Sequence, residues 1–400
     1  MYRGKKNQPS NRARILECIF RNAPVARSEI AEMTEITPAA VTTIVSGLIA
    51  ENIVIESEEP FPDDFSSGRR KVPIDINPAA FYSIGAEFTQ KALVICLTDL
   101  KGSLIKHKKK PYSPQLAQEI TKELILGITS LVDETKISWK QIIGAGIAVP
   151  GHMNSDSDDL ITNRKTWSSF SATELEKDLP IPITYENNAR CMALAQYLFN
   201  PSNSPDSFAF FHVGLGMFCA NVVDGEILLG NNYMAGEIGH TIVNENGRRC
   251  ECGKYGCLQT YASENWLLKN ARLVYQNSSN TILRHLAASE KDISIETIIT
   301  AYSMGDPFIS KYIRDALKYL GIAASNIAIT MNPGKFFLHG QYLDNPMIRS
   351  ELLDYIDRQL LFIGRSYTSN IEILPYHPKD GAVGASALAV RKFFISPSAR

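Results

Sequence analysis

GEIGHTIVNENGRRCECGKYGCLQ, residues 236–259, holds three of the chain's seven cysteines, with a histidine ten residues before the first of them. Cys250-x-Cys252-x4-Cys257 together with His240 offers four ligands of the kinds zinc favours, thiolate sulfur and imidazole nitrogen. Three thiolates converge only if the backbone turns sharply between them, and Gly253 and Gly256 permit such turns. A closed set of four ligands points to a structural ion, because catalytic zinc keeps one position open for water. The competing readings are a redox pair and unrelated free thiols. Cys-x-Cys is not the C-x-x-C spacing of thioredoxin-like sites. The stretch therefore predicts a zinc clip of His240, Cys250, Cys252 and Cys257. The other four cysteines, Cys18, Cys96, Cys191 and Cys219, each stand alone in apolar segments and read as buried structural thiols.

Working outward, 400 residues are more than one compact core organises, so two or three domains are expected. An apolar fraction of 44% and a charged fraction of 21% fit an ordinary globular protein. A formal net charge of −1 gives no global pull toward nucleic acid or membrane, so any such affinity must be local. No apolar run approaches the roughly 18 residues that span a bilayer, and no membrane partner is expected. The basic opening MYRGKKNQPSNRAR has no apolar segment behind it, unlike a signal peptide. A cytoplasmic location is the expectation, and disulfides are unexpected there.

The first 14 residues carry five cations and no acid. Ile15, Leu16, Ile19 and Phe20 then recur at helical spacing. A second helix opens at Ser28. Thr37-Pro38 supplies the cap and first turn of a third, with Val41, Ile44, Val45, Leu48 and Ile49 on one face. Three helices with a short link between the last two make a helix-turn-helix. Two short strands, Ile53 to Ile55 and VPIDI, read as a wing that carries Arg69, Arg70 and Lys71. In such a motif the early residues of the last helix touch base edges in the major groove. Those positions hold Thr37, Pro38, Ala39, Ala40, Thr42 and Thr43, whose small hydroxyl and methyl groups suit close approach and thymine methyls. Arg27, the basic arm and the wing cations would meet phosphates.

From about residue 81 the pattern changes. FYSIGAEF, KALVICLTDL and SLIKHKK read as successive strands, followed by a helical span near 113–134 and a buried strand, QIIGAGIAVPG. SFAFFHVGLGMFCANVVDGEILLG reads as a hairpin with a tight Asp-Gly turn. Strands mixed with helices predict an α/β body.

Gly236-Glu237-Ile238-Gly239-His240, followed by Cys250-Glu251-Cys252-Gly253-Lys254-Tyr255-Gly256-Cys257, resembles the signature of the ROK family of repressors, open reading frames and sugar kinases. Pro150-Gly151, the segment NRKTW at 163–167 and Glu186-Asn187-Asn188-Ala189 extend the resemblance over roughly residues 80–390. The resemblance implies an actin-like, hexokinase-like body of two lobes around a sugar cleft. A winged helix-turn-helix ahead of that body is similar to the family's sugar-responsive repressors, such as those for xylose, glucose or N-acetylglucosamine use. The implied domains are a DNA-binding head at 1–78, one lobe at 79–195 and a second at 196–400. The second lobe would carry the zinc clip, and its last helix would return toward the first. Homodimers or homotetramers are implied as well.

Three departures separate the chain from the family's kinases. Asn188 stands where the kinases carry a catalytic Asp, and a carboxamide is no base near neutral pH. Glu87-Phe88-Thr89-Gln90 replaces the first phosphate loop, with Phe88 and Gln90 expected to obstruct the approach of phosphate. The second loop, Gly214-Leu215-Gly216-Met217-Phe218-Cys219-Ala220, turns bulky after two glycines, and His339-Gly340-Gln341 thins a third glycine cluster. No catalytic residue and no ATP are therefore expected. By match to the family, Asn163, Asn187, Asn188, Glu237 and His240 would line the sugar cleft. Gln259, where relatives carry Glu, would bond hydroxyls without a charge. The expected function is a repressor that binds operator DNA, with a sugar or sugar derivative setting its affinity. A residual kinase and a repressor governed by a partner protein are the alternatives.

Overall fold

The computed structural model describes residues 9–56, 71–154, 159–162, 165–230, 234–360 and 370–397. The chain divides into two compact units, residues 1–204 with 379–400 and residues 205–378.

The first unit begins with three helices. Helix α1 (Asn11–Asn22) is capped by the Ser10 hydroxyl, which accepts the Ala13 N–H at 3.2 Å, and it buries Ile15, Leu16, Ile19 and Phe20. Helix α2 (Arg27–Thr34) starts with the Glu29 carboxylate accepting the Ala26 N–H and ends at Glu35, whose φ is 54°. Helix α3 (Pro38–Ala50) has proline at its first position and buries Val41, Val45 and Leu48 of the predicted apolar row, with Ile44 and Ile49 half-buried at its edges. Strand β1 (Val54–Glu56) pairs antiparallel with β2 (Ile74–Ile76), and Val25 bridges to Ile74. Three helices followed by a small two-stranded sheet are the elements that the sequence predicts in this part of the chain. Arg69 and Arg70 lie outside the described residues.

Strands β3 (Tyr82–Phe88), β4 (Ala92–Asp99) and β5 (Leu104–Pro111) form an antiparallel meander. On the other side of β3, β6 (Ile142–Val149) and β7 (Ile183–Asn187) add in parallel, giving the order β5-β4-β3-β6-β7. Alternation along β3 sends Ile84, Ala86 and Phe88 into the core beneath α4 (Ile120–Thr135), where Leu124, Ile128 and Leu131 meet them. Gly85 and Glu87 therefore face the opposite side. From β7 the chain enters α5 (Asn188–Phe199) directly.

The second unit repeats this arrangement. Strands β8 (Phe208–Val213), β9 (Met217–Val223) and β10 (Glu226–Ile227) are antiparallel, and β11 (Lys335–His339) and β12 (Ile371–Leu374) add in parallel, in the order β10-β9-β8-β11-β12. Asp224 and Gly225, with φ of 51° and 76°, make the predicted tight turn between β9 and β10. Helices α6 (Glu264–Asn277), α7 (Pro307–Met331) and α8 (Pro346–Gln359) pack with this sheet in one core. Two five-stranded mixed sheets of identical order, each backed by helices, are the α/β body that the sequence indicates. No helix among the described residues is long and apolar enough to cross a membrane.

Residues 379–400 return to the first unit as α9 (Asp380–Ala389), which runs on into a π-helical turn, Val390–Ile395. The lobe boundary expected at 195 falls inside α5. That helix continues to Phe199, and the unit closes at Ser204, which exchanges hydrogen bonds of 2.9 Å with Gln196.

Helix α9 lies backbone-first on its sheet. A Cβ added at Gly85 would stand 1.9 Å from the Ala382 carbonyl oxygen, and one at Gly146 would stand 1.8 Å from that of Ala385. Gly146→Ala is expected to destabilise the protein by about 3 kcal/mol, the upper end for overpacking, since backbone must move. Urea unfolding of the variant with an unchanged midpoint would contradict this packing.

Candidate functional site

The four residues predicted as ligands come together. One ligand atom each from His240, Cys250, Cys252 and Cys257 lies within 4.8 Å of every other, a group that could hold a metal ion. His240 Nδ1 stands 3.7 Å from Cys250 Sγ, and Cys252 Sγ stands 3.7 Å from Cys257 Sγ. Tetrahedral zinc with sulfur at about 2.3 Å sets sulfur–sulfur edges near 3.8 Å, so the donors fit the ion. The backbone makes the nest: Ile242 bridges Cys257, Arg249 bridges Tyr255, and Cys250 donates its N–H to the Lys254 carbonyl at 2.8 Å. Gly256 has φ of 75°, and a Cβ there would lie 1.7 Å from the Asn244 carbonyl oxygen. Lys254 Nζ donates to the His240 carbonyl at 2.9 Å, tying the two ends together.

Crowding controls the protons of the clip. Burial opposes ionisation of Cys252, but the Lys254 N–H and the Cys250 and Cys257 thiols bring its pKa below the ordinary thiol value. Burial first, then the Cys252 and Cys250 sulfurs, pushes the Cys257 thiol up to about 12. Cys252 is therefore the readier thiolate of this pair, and ionisation of Cys257 would be favoured by a cation beside it.

Gln259 differs in role from the expectation. Its Nε2 donates toward Cys250 Sγ at 3.4 Å and the Glu251 carboxylate at 3.2 Å. Its Oε1 is turned to the Gly239 side, 3.2 Å from where a Cβ on Gly239 would be. The amide's donor side is engaged with the clip. A glutamate at 259 would aim a carboxylate at the Cys250 sulfur and at the Glu251 carboxylate, an unfavourable pairing that the neutral amide avoids.

In the first unit, Glu186-Asn187-Asn188 joins β7 to α5. The Asn187 side chain caps α5, accepting the Ala189 N–H at 3.0 Å, and its Nδ2 donates to the Gly151 carbonyl at 3.2 Å. Glu186 Oε1 accepts from the Asn187 N–H at 2.7 Å and from the fully buried Arg190 at 3.2 Å. Asn188 Nδ2 donates to Glu87 Oε1 at 3.3 Å. Burial raises the Glu87 carboxyl to about 7. Asp380 adds to the rise, while Asn188 and Lys91 oppose it. Phe88 corrects the expectation of an obstructed loop. Its ring is buried against Trp167 and Phe170, with centroids at 4.9 and 5.2 Å, on the face of β3 away from Glu87. Gln90 bonds Thr166 at 3.4 Å, and Asn163 lies outside the described residues.

In the second unit, Glu237 stands at the N-cap position of a single helical turn, Ile238–His240, that ends on His240, and both residues are half-buried. The loop at 214–216 is a tight turn, with the Gly214 N–H donating to the Gly216 carbonyl at 2.9 Å. Phe218 packs under Gly236, where a Cβ would stand 2.5 Å from its ring. The third thinned glycine cluster holds a pair that the sequence hid. His212 and His339 are register partners on β8 and β11, and their Nδ1 atoms are 2.9 Å apart. One ring must donate to the other, and Phe210 and Tyr376 lie against His339 at 5.6 and 5.5 Å. Two histidines 127 residues apart give no local signal.

On the head, Thr37, Pro38, Ala39, Thr42 and Thr43 are exposed, and Ala40 is half-buried. Thr42 and Thr43 donate their hydroxyl protons to the Pro38 and Ala39 carbonyls at 2.8 and 3.0 Å, so in this rotamer the oxygens are acceptors. Arg27 pairs with Glu56 and Lys71 with Glu29, both at 2.9 Å. Such surface pairs contribute little, about 0–1 kcal/mol, and phosphates can compete for both cations.

A family model described as the ROK family matches residues 83–392. The xylose repressor of Bacillus spizizenii is 27% identical over 394 residues, covering 96% of this chain and 95% of that protein. The transcriptional dual regulator NagC of Escherichia coli is 25% identical, covering 95% of this chain and 92% of NagC. Among solved structures, a ROK family transcriptional regulator, a homologue of the E. coli MLC protein, has a TM-score of 0.74 at 22% identity, covering 96% of each chain. That likeness supports the fold.

Gln259→Glu is expected to weaken zinc binding by about 10- to 100-fold in a chelator competition, and Glu251→Gln in the same chain to recover most of the loss. Equal zinc affinity for all three proteins would remove the role given to Gln259. The raised Glu87 pKa has a signed consequence. Its stabilisation is fully present below the ordinary carboxyl pKa of about 4.5 and is lost as pH rises through about 7. Against Glu87→Gln, the wild type should lose about 3 kcal/mol of relative stability across that window. Parallel stability curves for the two proteins from pH 4.5 to 7.5 would refute this.

Proposed function

The chain belongs to the ROK family, and from that premise we propose that it is a DNA-binding transcriptional repressor of carbohydrate-use genes, with operator affinity set by a sugar or sugar derivative. The observation that carries this reading is the extent of the likeness. Similarity to a named xylose repressor spans 96% of the chain, and so includes the three-helix head as well as the body.

The exposed start of α3, residues Thr37 to Thr43, reads base edges, and Arg27, Arg69, Arg70 and Lys71 meet phosphates. Asn163, Asn187, Asn188, Glu237 and His240 are the proposed saccharide-binding groups, because amides and carboxylates pair well with adjacent hydroxyls. Gln259 acts beside them through the clip, with its carbonyl as the remaining acceptor. A bound zinc ion would supply structural order, with His240, Cys250, Cys252 and Cys257 holding it. The chain works as a homodimer or homotetramer in the cytoplasm, two heads reading a near-palindromic site. An amide at position 188, bonded to a carboxyl that holds its own proton up to about pH 7, supplies no base for phosphoryl transfer.

DNA from directly upstream of the protein's own gene is expected to be retarded in a gel shift. One of xylose, N-acetylglucosamine or glucose should change the apparent Kd about 5- to 150-fold. Binding indifferent to every sugar tested would remove the sugar effector and leave the repressor. Sugar-dependent ATP turnover would overturn the non-enzymatic reading.

A further inference from the structure

Two helices of the first unit share both their starting point and their end point. Helix α5 begins at Asn188, which bonds Glu87, and α9 begins at Asp380-Gly381, where a Cβ on Gly381 would stand 2.0 Å from the Glu87 carboxyl carbon. The two are fused by close approach along their length. A Cβ at Gly384 would lie 2.6 Å from the Cys191 carbonyl carbon and 2.7 Å from the Met192 nitrogen. Helix α5 is 12 residues long, about 18 Å.

Their far ends meet on helix α1 of the head. Tyr197, near the end of α5, donates its hydroxyl to Glu17 Oε1 at 3.2 Å, and Arg391, just past α9, forms an ion pair with the same carboxylate. Arg21 lies over the Tyr197 ring at 4.2 Å and donates to the Tyr197 and Ser204 carbonyls at 2.7 and 2.5 Å. Phe394 packs edge-on to Phe20 at 6.2 Å and against Phe81 at 6.0 Å. The Glu17 and Arg391 side chains are 25% and 15% exposed, so the pair is too sheltered to rank as an ordinary surface ion pair.

We propose that α5 and α9 form one rigid coupling element, joined at Glu87 and latched to the DNA-reading head by Glu17, Arg21, Tyr197 and Arg391. These four are positioning residues: they touch neither DNA nor effector and act by fixing α1, against which α2 and α3 are packed. The element gives the Asn188 end a material path to the head, since packed elements move as bodies and not by continuous deformation. This inference rests on the reading of Asn188 as effector-facing, and its test needs neither sugar nor DNA.

Hydrogen–deuterium exchange of the full-length protein reads the latch directly. Arg391→Gln should speed exchange of the α1 amides, residues 15–21, about tenfold, as expected for loss of a charged hydrogen bond. The charge swap Glu17→Arg with Arg391→Glu should recover most of it. Tyr197→Phe, which keeps the ring, provides a milder cut. At the other end, Asn188→Ala should also speed α1 exchange about threefold, and this effect should vanish once Arg391→Gln has cut the latch. Unchanged α1 exchange in Asn188→Ala, with the start of α5 responding, would overturn the coupling. So would additive effects of the two substitutions. Sugars inert in the gel shift would remove the effector and leave this result intact.

Discussion

The first unit depends on the backbone of α9 being able to lie directly on β3, β6 and α5. Gly85, Gly146 and Gly384 make room for it, and any side chain at the first two would strike a carbonyl oxygen at under 2 Å. The constraint joins residues from both ends of the chain into one core, because the last segment completes the sheet face that β3 and β6 leave open. It also brings Gly381 against Glu87, and it carries Arg391 and Phe394 to the head. The buried carboxyl and the latch are thus two consequences of one packing decision.

The second unit is governed by crowding of a different kind. Three sulfurs and an imidazole are held within 4.8 Å by turns that need glycine, and the proton affinity of Cys257 rises first because the thiol is buried and then because its neighbours are sulfurs. Gln259 belongs to this economy of charge. Its amide N–H groups serve the Cys250 sulfur and the Glu251 carboxylate, so the residue that sets this chain apart from the family pattern is matched by one eight positions earlier.

Legibility in the sequence followed range. The Cys/His cluster, the proline-led start of α3, its apolar row and the Asp-Gly turn are encoded within about 20 residues each, and spacing reveals them. Phe88 was misread as an obstruction because its direction depends on which face of β3 meets the core, which alternation alone leaves undecided until both faces are known. The partners of Glu87, His212 and Glu17 lie 101, 127 and 374 residues away.

The sequence by itself determined the types of element, the family and the grouping of His240 with Cys250, Cys252 and Cys257, since these rest on residue kinds at short, fixed spacings. Only the tertiary structure decided that Glu87 is buried at a helix junction, that Gln259 turns toward sulfur, and that α5 and α9 share an end on the head. The physical reason is that side-chain direction, desolvation and long-range contact are properties of packing. They exist only once distant strands and helices have closed on one another.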